Sequence, residues 1–369
     1  MTNFKSRLPH ILAALSVAFS AALPACAVDP EDATATDDQV SEVSSNLAVS
    51  SWTGYTQAPQ NTWQATQVAT LNGVTYGVTA GNCGSWDCWP EEDTTQLRWT
   101  QLTSSGWTNA TDIPGQQTNS KVSLAAFNGY LYMVHTGGSD SSATWISRFN
   151  PATQSWSTNY QVSYPSFAGP PALVVYNNLL YFIGTSTYPY SMWYATMNTG
   201  ESFSPLTWIP GHDGASRPSA AVLFGKLYFA HRWGQTGDIV YGTFDGSTWT
   251  GATHIGGGDG GGVLQGIEPV LASDAGVLHL LHRRLSDNYV WWTYFDGCKW
   301  AGAEVTMSSS SLEPSVTQGG PGLILATNPE FDDLFGLTSY YVDASYYTHP
   351  FSRFPPTVPL CGIVTKPTY

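Results

Sequence analysis

Three stretches of the 369-residue chain place a basic side chain, a carboxylate or amide and an aromatic ring close together in sequence. His135 is followed by Asp140 and Trp145, His231-Arg232 by Asp238 and Tyr241, and His282-Arg283-Arg284 by Asp287-Asn288 and Trp291-Trp292. Trp193 occupies the same aromatic column in another stretch. Such a set suits carbohydrate. Sugar hydroxyls want planar bidentate donors and acceptors, and the apolar face of a pyranose stacks on an indole. Several weak copies on one rigid frame would give avidity for a polymeric glycan. The competing reading is that the basic residues pair with the aspartates and fasten their loops.

A second group could do covalent chemistry. Glu268-Pro269 and Glu313-Pro314 are matching phrases, with Arg217-Pro218 as their basic counterpart and Arg232 and Arg283 as neighbours. Two carboxylates across a cleft could act as acid and as base or nucleophile in glycoside cleavage. Repetition of the Glu-Pro phrase argues instead for a scaffold role. No Gly-x-Ser-x-Gly, His-Glu-x-x-His or phosphate-binding glycine motif occurs. The glycine run from Gly256 to Gly262 precedes no helical pattern and reads as a loop.

These residues need a frame, and the frame is a repeat. Trp52, Trp107, Trp156, Trp208, Trp249 and Trp300 are separated by 55, 49, 52, 41 and 51 residues. A second phrase keeps step upstream: Gly129-Tyr130-Leu131-Tyr132, Gly225-Lys226-Leu227-Tyr228 and Gly276-Val277-Leu278-His279. A period of this length marks a propeller or solenoid. Each unit reads as four antiparallel strands, A innermost to D outermost. In the fourth, Ser219 to Leu223 is strand A, Lys226 to Ala230 strand B and His231 to Gly237 the B–C loop. Asp238 to Phe244 is then strand C, Asp245-Gly246 a tight hairpin turn, and Thr248 to Thr253 strand D. The strand-D tryptophans read as packing between neighbouring units.

Strand A starts near Thr66, Ser123, Pro171, Ser219, Pro269 and Pro314. The last copy has no Trp phrase after it, whereas residues 51–54 have that phrase with nothing before it. The expectation is therefore an all-β, six-bladed β-propeller over residues 51–345 whose N-terminal strand closes the last blade. A seventh blade from residues 343–369 is the alternative count; otherwise residues 346–369 are a tail packed on the propeller.

Aromatic content of 14% and charged content of 11% describe a chain able to bury a large core. The formal charge of −14 and the lack of any Lys/Arg run argue against nucleic acid or an anionic membrane surface as partner. Residues 1–26 read as an export signal, with Lys5 and Arg7 ahead of the apolar stretch Ile11 to Leu23. Leu23-Pro24-Ala25-Cys26 fits a lipobox, which would lipidate Cys26; Ala25-Cys26-Ala27 fits ordinary cleavage. Residues 27–50 are acidic and poor in apolar groups, as in a solvated tether. The chain is thus expected to be exported, either secreted or a surface lipoprotein whose only membrane attachment is the lipid. Four further cysteines in such a chain default to disulfides, most simply Cys83–Cys88 and Cys298–Cys361.

Thr243-Phe244-Asp245-Gly246-Ser247-Thr248-Trp249 and Phe295-Asp296-Gly297-Cys298-Lys299-Trp300 resemble the Asp-box turns of sialidase-like propellers, without the residue normally found between Asp and Gly. Phe149-Asn150-Pro151-Ala152-Thr153-Gln154-Ser155-Trp156 is similar to the outer turn of a kelch repeat. Together with the Leu-Tyr-x-x-His phrase they resemble the repeats of secreted bacterial propeller proteins, several of them lectins. The sialidase Phe-Arg-Ile-Pro motif is absent, so no catalytic residue is carried over. The combined expectation is a monomeric, exported, lectin-like propeller that binds glycans or polysaccharide. It would use no cofactor or metal centre, with calcium at most a structural ion. The alternatives are a glycoside hydrolase or lyase at the channel mouth, and a protein-binding surface scaffold.

Overall fold

In the computed structural model, every regular element among the described residues is a β-strand. The structure describes residues 52–62, 65–81, 95–138, 143–162, 167, 169–186, 190–214, 216–234, 236–256, 266–274, 276–284, 289–301, 304–309, 313–319, 322–327, 330–332 and 338–348. For 52–62, 268, 304–309, 318–319, 322, 330–332 and 338–348 it describes the backbone alone. The leader with Cys26, the tether, Cys83, Cys88, Asp140, Asp287, Asn288 and residues 349–369 with Cys361 lie outside these residues.

The chain enters with β1 (Trp52–Thr62). Blade one follows as β2 (Gln67–Leu71), β3 (Val74–Ala80), β4 (Gln96–Thr103) and β5 (Gly106–Trp107), with β6 (Thr111–Gln117) also paired to β4. Blade two is β7 (Ser123–Phe127), β8 (Tyr130–Thr136), β9 (Thr144–Asn150) and β10 (Ser155–Trp156), with β11 (Tyr160–Val162) on β9. Blade three is β12 (Ala172–Tyr176), β13 (Leu179–Thr185), β14 (Ser191–Met197) and β15 (Thr207–Asp213). Blade four is β16 (Ser219–Leu223), β17 (Lys226–Arg232), β18 (Ile239–Phe244) and β19 (Thr253–His254). Blade five is β20 (Ile267–Asp274), β21 (Val277–Arg283), β22 (Tyr289–Phe295) and β23 (Glu304–Ser309).

A further sheet joins the two ends of this run. It comprises β24 (Ser315–Gly319), β25 (Gly322–Thr327), β26 (Glu330–Asp332) and β27 (Thr338–Thr348), in the order β24-β25-β27-β1 with β26 on β27. Trp52 pairs with Tyr347 and Thr62 with Tyr340, so the N-terminal strand is its outermost member. The innermost strands β2, β7, β12, β16, β20 and β24 touch in that order, and β24 touches β2 again. This is a β-propeller arrangement.

The apolar core lies in the seams between sheets. Leu227, Phe229 and Phe244 of blade four pack against Tyr176, Tyr181 and Ile183 of blade three. Leu278, Leu280 and Phe295 of blade five pack in the same way on Leu223, Tyr228 and Ile239 of blade four. Strand B of a blade is therefore covered on both faces. β8 and β13 show only their first residue partly accessible and the rest buried. Strand-C aromatics complete the seams: Tyr194 lies 5.1 Å from Trp249, Tyr241 5.5 Å from Trp300, and Trp99 4.8 Å from Phe149.

Inner strands are stitched by serines at equivalent positions. Ser123 Oγ donates to Pro171 O at 2.6 Å, Leu271 N donates to Ser219 Oγ at 2.9 Å, and Val68 N donates to Ser315 Oγ at 3.0 Å. Outer strands are latched by Gln116, which donates to Ser157 O at 2.8 Å, and by His212, whose Nε2 lies 2.9 Å from Thr250 O.

The turns differ from expectation in one respect. The two-residue hairpins join strands A and B, where Asn72-Gly73, Asn128-Gly129, Asn177-Asn178 and Phe224-Gly225 all have positive φ. The Asp-Gly segments are instead longer loops closed by the carboxylate. Asp245 Oδ1 accepts from Ser247 N at 2.9 Å and Thr248 N at 2.8 Å, and Asp296 Oδ1 from Cys298 N and Lys299 N at 2.8 and 2.9 Å. Strand D is correspondingly broken: Trp249 makes a lone bridge to Phe244, and regular pairing resumes only at Thr253. Cys298 is disulfide-bonded, to a cysteine outside the described residues.

Candidate functional site

The strand-B histidines are not at a surface. Sequence reasoning places His231 in the B–C loop, but β17 runs two residues further and takes in His231 and Arg232. His135, His231 and His282 are 1%, 0% and 2% exposed, each in its own blade. The physical reason is the double cover of strand B, which removes the solvent face an alternating pattern would otherwise supply. Burial pushes the His231 imidazole down to about 3, and burial with the nearby Arg284 charge pushes His282 down to about 4. His135 Nδ1 lies 2.8 Å from Thr136 O, and His231 Nδ1 lies 3.0 Å from Arg232 O.

The other blade-top candidates stay in their own blades. Asp238 Oδ2 lies 3.7 Å from His254 Nδ1 in the same blade. Arg232 is half-buried and its backbone N–H donates to Ser216 Oγ at 3.3 Å. Arg283 ends β21, half-buried. Trp145, Trp193 and Trp291 are half-buried; Trp193 stands opposite Trp208, and the Arg284 guanidinium lies 4.0 Å above the Trp291 ring. These residues are spread around the ring and do not form one site.

What the fold does bring together is the start of every inner strand. A cavity of about 110 Å³ is lined by Gln67, Lys121, Arg217, Glu313 and residues from the beginnings of β12 and β20. Lys121 and Glu313 form an ion pair. Among the described residues, Arg217 makes a single long hydrogen bond, from Nη2 to Gln67 Oε1 at 3.4 Å. Desolvation by the surrounding inner strands lowers the guanidinium to about 10. Lys121 is pushed well below the lysine range by burial first and by the Arg217 charge second.

Arg217 and Glu313 were singled out from sequence, but Lys121 was missed. The signal was present at twice the blade length. Lys121-Val122-Ser123, Arg217-Pro218-Ser219 and Glu313-Pro314-Ser315 recur every 96 residues. In each, the serine makes the inner-strand stitch and the charged residue two positions earlier lines the cavity. Glu268 belongs to β20 next to the cavity-lining Pro269, and its side chain lies outside the described residues. Among the described residues, no group of three His, Cys, Asp or Glu side chains is placed to hold a metal ion.

No protein-family model matches the chain, and no curated protein does. Among solved structures it is similar to a protein of unknown function from Dyadobacter fermentans, with a TM-score of 0.56 and 12% sequence identity. The match covers 82% of this chain and 97% of that one, and bears on the fold alone.

Proposed function

We propose that this chain is an exported, lectin-like β-propeller of six blades that binds carbohydrate in the mouth of its axial channel. The count of six is supported by the cyclic contact of the six inner strands and by the Val68–Ser315 stitch between the joining sheet and blade one. The observation that carries the binding reading is the channel cavity, whose wall holds Arg217 with nearly all its donors unengaged. A concave site with few convergent polar groups on a rigid frame is the usual form of a small-ligand site. The strand-B histidines, sealed inside their blades, are poor ligands for a glycan. The hydrolase alternative has in Glu313 a carboxylate already engaged by Lys121.

The test is a glycan array probed with the full chain and with Arg217→Gln, each hit then analysed by mass spectrometry. Hits that stay intact and weaken in the variant support the proposal. Intact hits untouched by the substitution would move the site away from the channel. Cleaved hits would favour the hydrolase, and an array without hits would favour the protein-binding scaffold.

A further inference from the structure

Resting on the reading that the channel mouth takes carbohydrate, we infer that its ligand is an acidic saccharide, whose carboxylate is seated on the Arg217 guanidinium. Blades two and four and the joining sheet each send one charged side chain to the same cavity: Lys121, Arg217 and Glu313. The serines beside them are engaged in the stitches. The charged groups are thus what remains to face a ligand.

Among the described residues, Arg217 has no carboxylate partner. Glu313 is committed to Lys121. Arg217 has five guanidinium N–H donors, of which one makes a bond, at 3.4 Å, to the neutral amide oxygen of Gln67. Arg217 is only partly buried and none of its nitrogens is both buried and unpaired, so its remaining donors are open to a ligand. Its charge also repels that of Lys121. A carboxylate answers both demands. Its two oxygens match the planar fork of an arginine, and its negative charge relieves the contact between the two cations. A neutral hydroxyl could satisfy a donor but not the charge. The cavity of about 110 Å³ admits the carboxylate and the adjoining edge of one sugar ring, leaving the rest of a chain outside the mouth.

The experiment is isothermal titration of the full chain with sodium glucuronate, glucose and sodium phosphate, repeated on Arg217→Gln and Arg217→Lys. Near-UV circular dichroism of each variant checks that the fold is kept. Glucuronate should bind the parent chain, roughly tenfold or more weaker to Arg217→Gln, with Arg217→Lys in between because it keeps the charge and loses the fork. Glucose binding as well as glucuronate, or glucuronate binding unchanged in both variants, would overturn the acidic-ligand inference and leave the carbohydrate reading standing. Phosphate binding as tightly as glucuronate and lost in Arg217→Gln would keep the anion site and remove the carbohydrate reading. If none of the three binds, both fall.

Discussion

His212 of blade three and His231 of blade four face each other across a buried seam, with Nδ1 of the first 2.9 Å from Nε2 of the second. Each ring also reaches a carbonyl, Thr250 O at 2.9 Å and Arg232 O at 3.0 Å. Two neutral imidazoles carry one N–H each, so two hydrogens serve three contacts. One added proton would complete the set, yet burial lowers both groups, His231 to about 3. A full charge in a desolvated seam costs more than one unmade hydrogen bond.

The consequence is a dependence of stability on pH. Between about 3 and the ordinary histidine value of 6.5, the unfolded chain binds the proton that folded His231 refuses. Stability is full above 6.5 and falls as pH drops, by at most about 1.4 kcal/mol per pH unit for each such histidine. His282 adds to the slope until it protonates near 4. Urea midpoints measured at pH 7.5 and pH 5 should show the loss, and His231→Asn should show a shallower one. Equal slopes in the two proteins would mean that His231 titrates alike folded and unfolded.

The tryptophan register makes a second prediction. Trp208 is 52% exposed on β15, and the seam position of blade three belongs to Phe203, which bridges Met197 as Trp249 bridges Phe244 and Trp300 bridges Phe295. Phe203 packs 5.4 Å from Phe182. Phe203→Ala and Trp300→Ala should each cost about 3 to 5 kcal/mol by urea unfolding, whereas Trp208→Ala should stay within about 0.5 kcal/mol. A large loss at Trp208 would reverse the assignment.

This exchange shows what the sequence could reveal. Strand A of blade four, Ser219–Leu223, is legible to the residue because it lies between a proline and a hairpin turn. The irregular 41-residue gap between Trp208 and Trp249 was the visible sign that Trp208 is out of register. Counting through Phe203 instead gives steps of 47 and 46. The length of strand B was not legible. His231 looks like a loop residue from polarity alone, and its burial comes from the neighbouring blade, which no local pattern encodes. Lys121 was hidden for a related reason: its likeness to Arg217 and Glu313 spans two blades, and its follower is Val122 where theirs is proline.

The Asp245 loop is a test of turn closure. Its carboxylate accepts hydrogen bonds from Thr248 N and Ser247 N, which hold it down to about 2. Such a group contributes stability that is present above the usual carboxylate value and lost as pH falls through about 2. Asp245→Ala should therefore lower the thermal midpoint at pH 7 and leave it nearly unchanged at pH 2. A deficit of equal size at both values would point to packing in place of the hydrogen bonds.

The channel cations should respond in opposite ways to removal. Lys121 is paired with Glu313, so Lys121→Met leaves a partly buried carboxylate without that partner, a change expected to cost about 1 to 3 kcal/mol. Arg217 gives up only one long hydrogen bond to Gln67, and its removal relieves both its own desolvation and its repulsion of Lys121. Arg217→Met should thus be neutral or stabilising in the absence of ligand. A binding residue is commonly held at a cost to the free fold, and a structural one is not. Urea unfolding of the two variants separates these roles: a stability gain in Arg217→Met together with a loss in Lys121→Met marks Arg217 as kept for a ligand. Equal losses in both would make the pair a structural clasp of the channel.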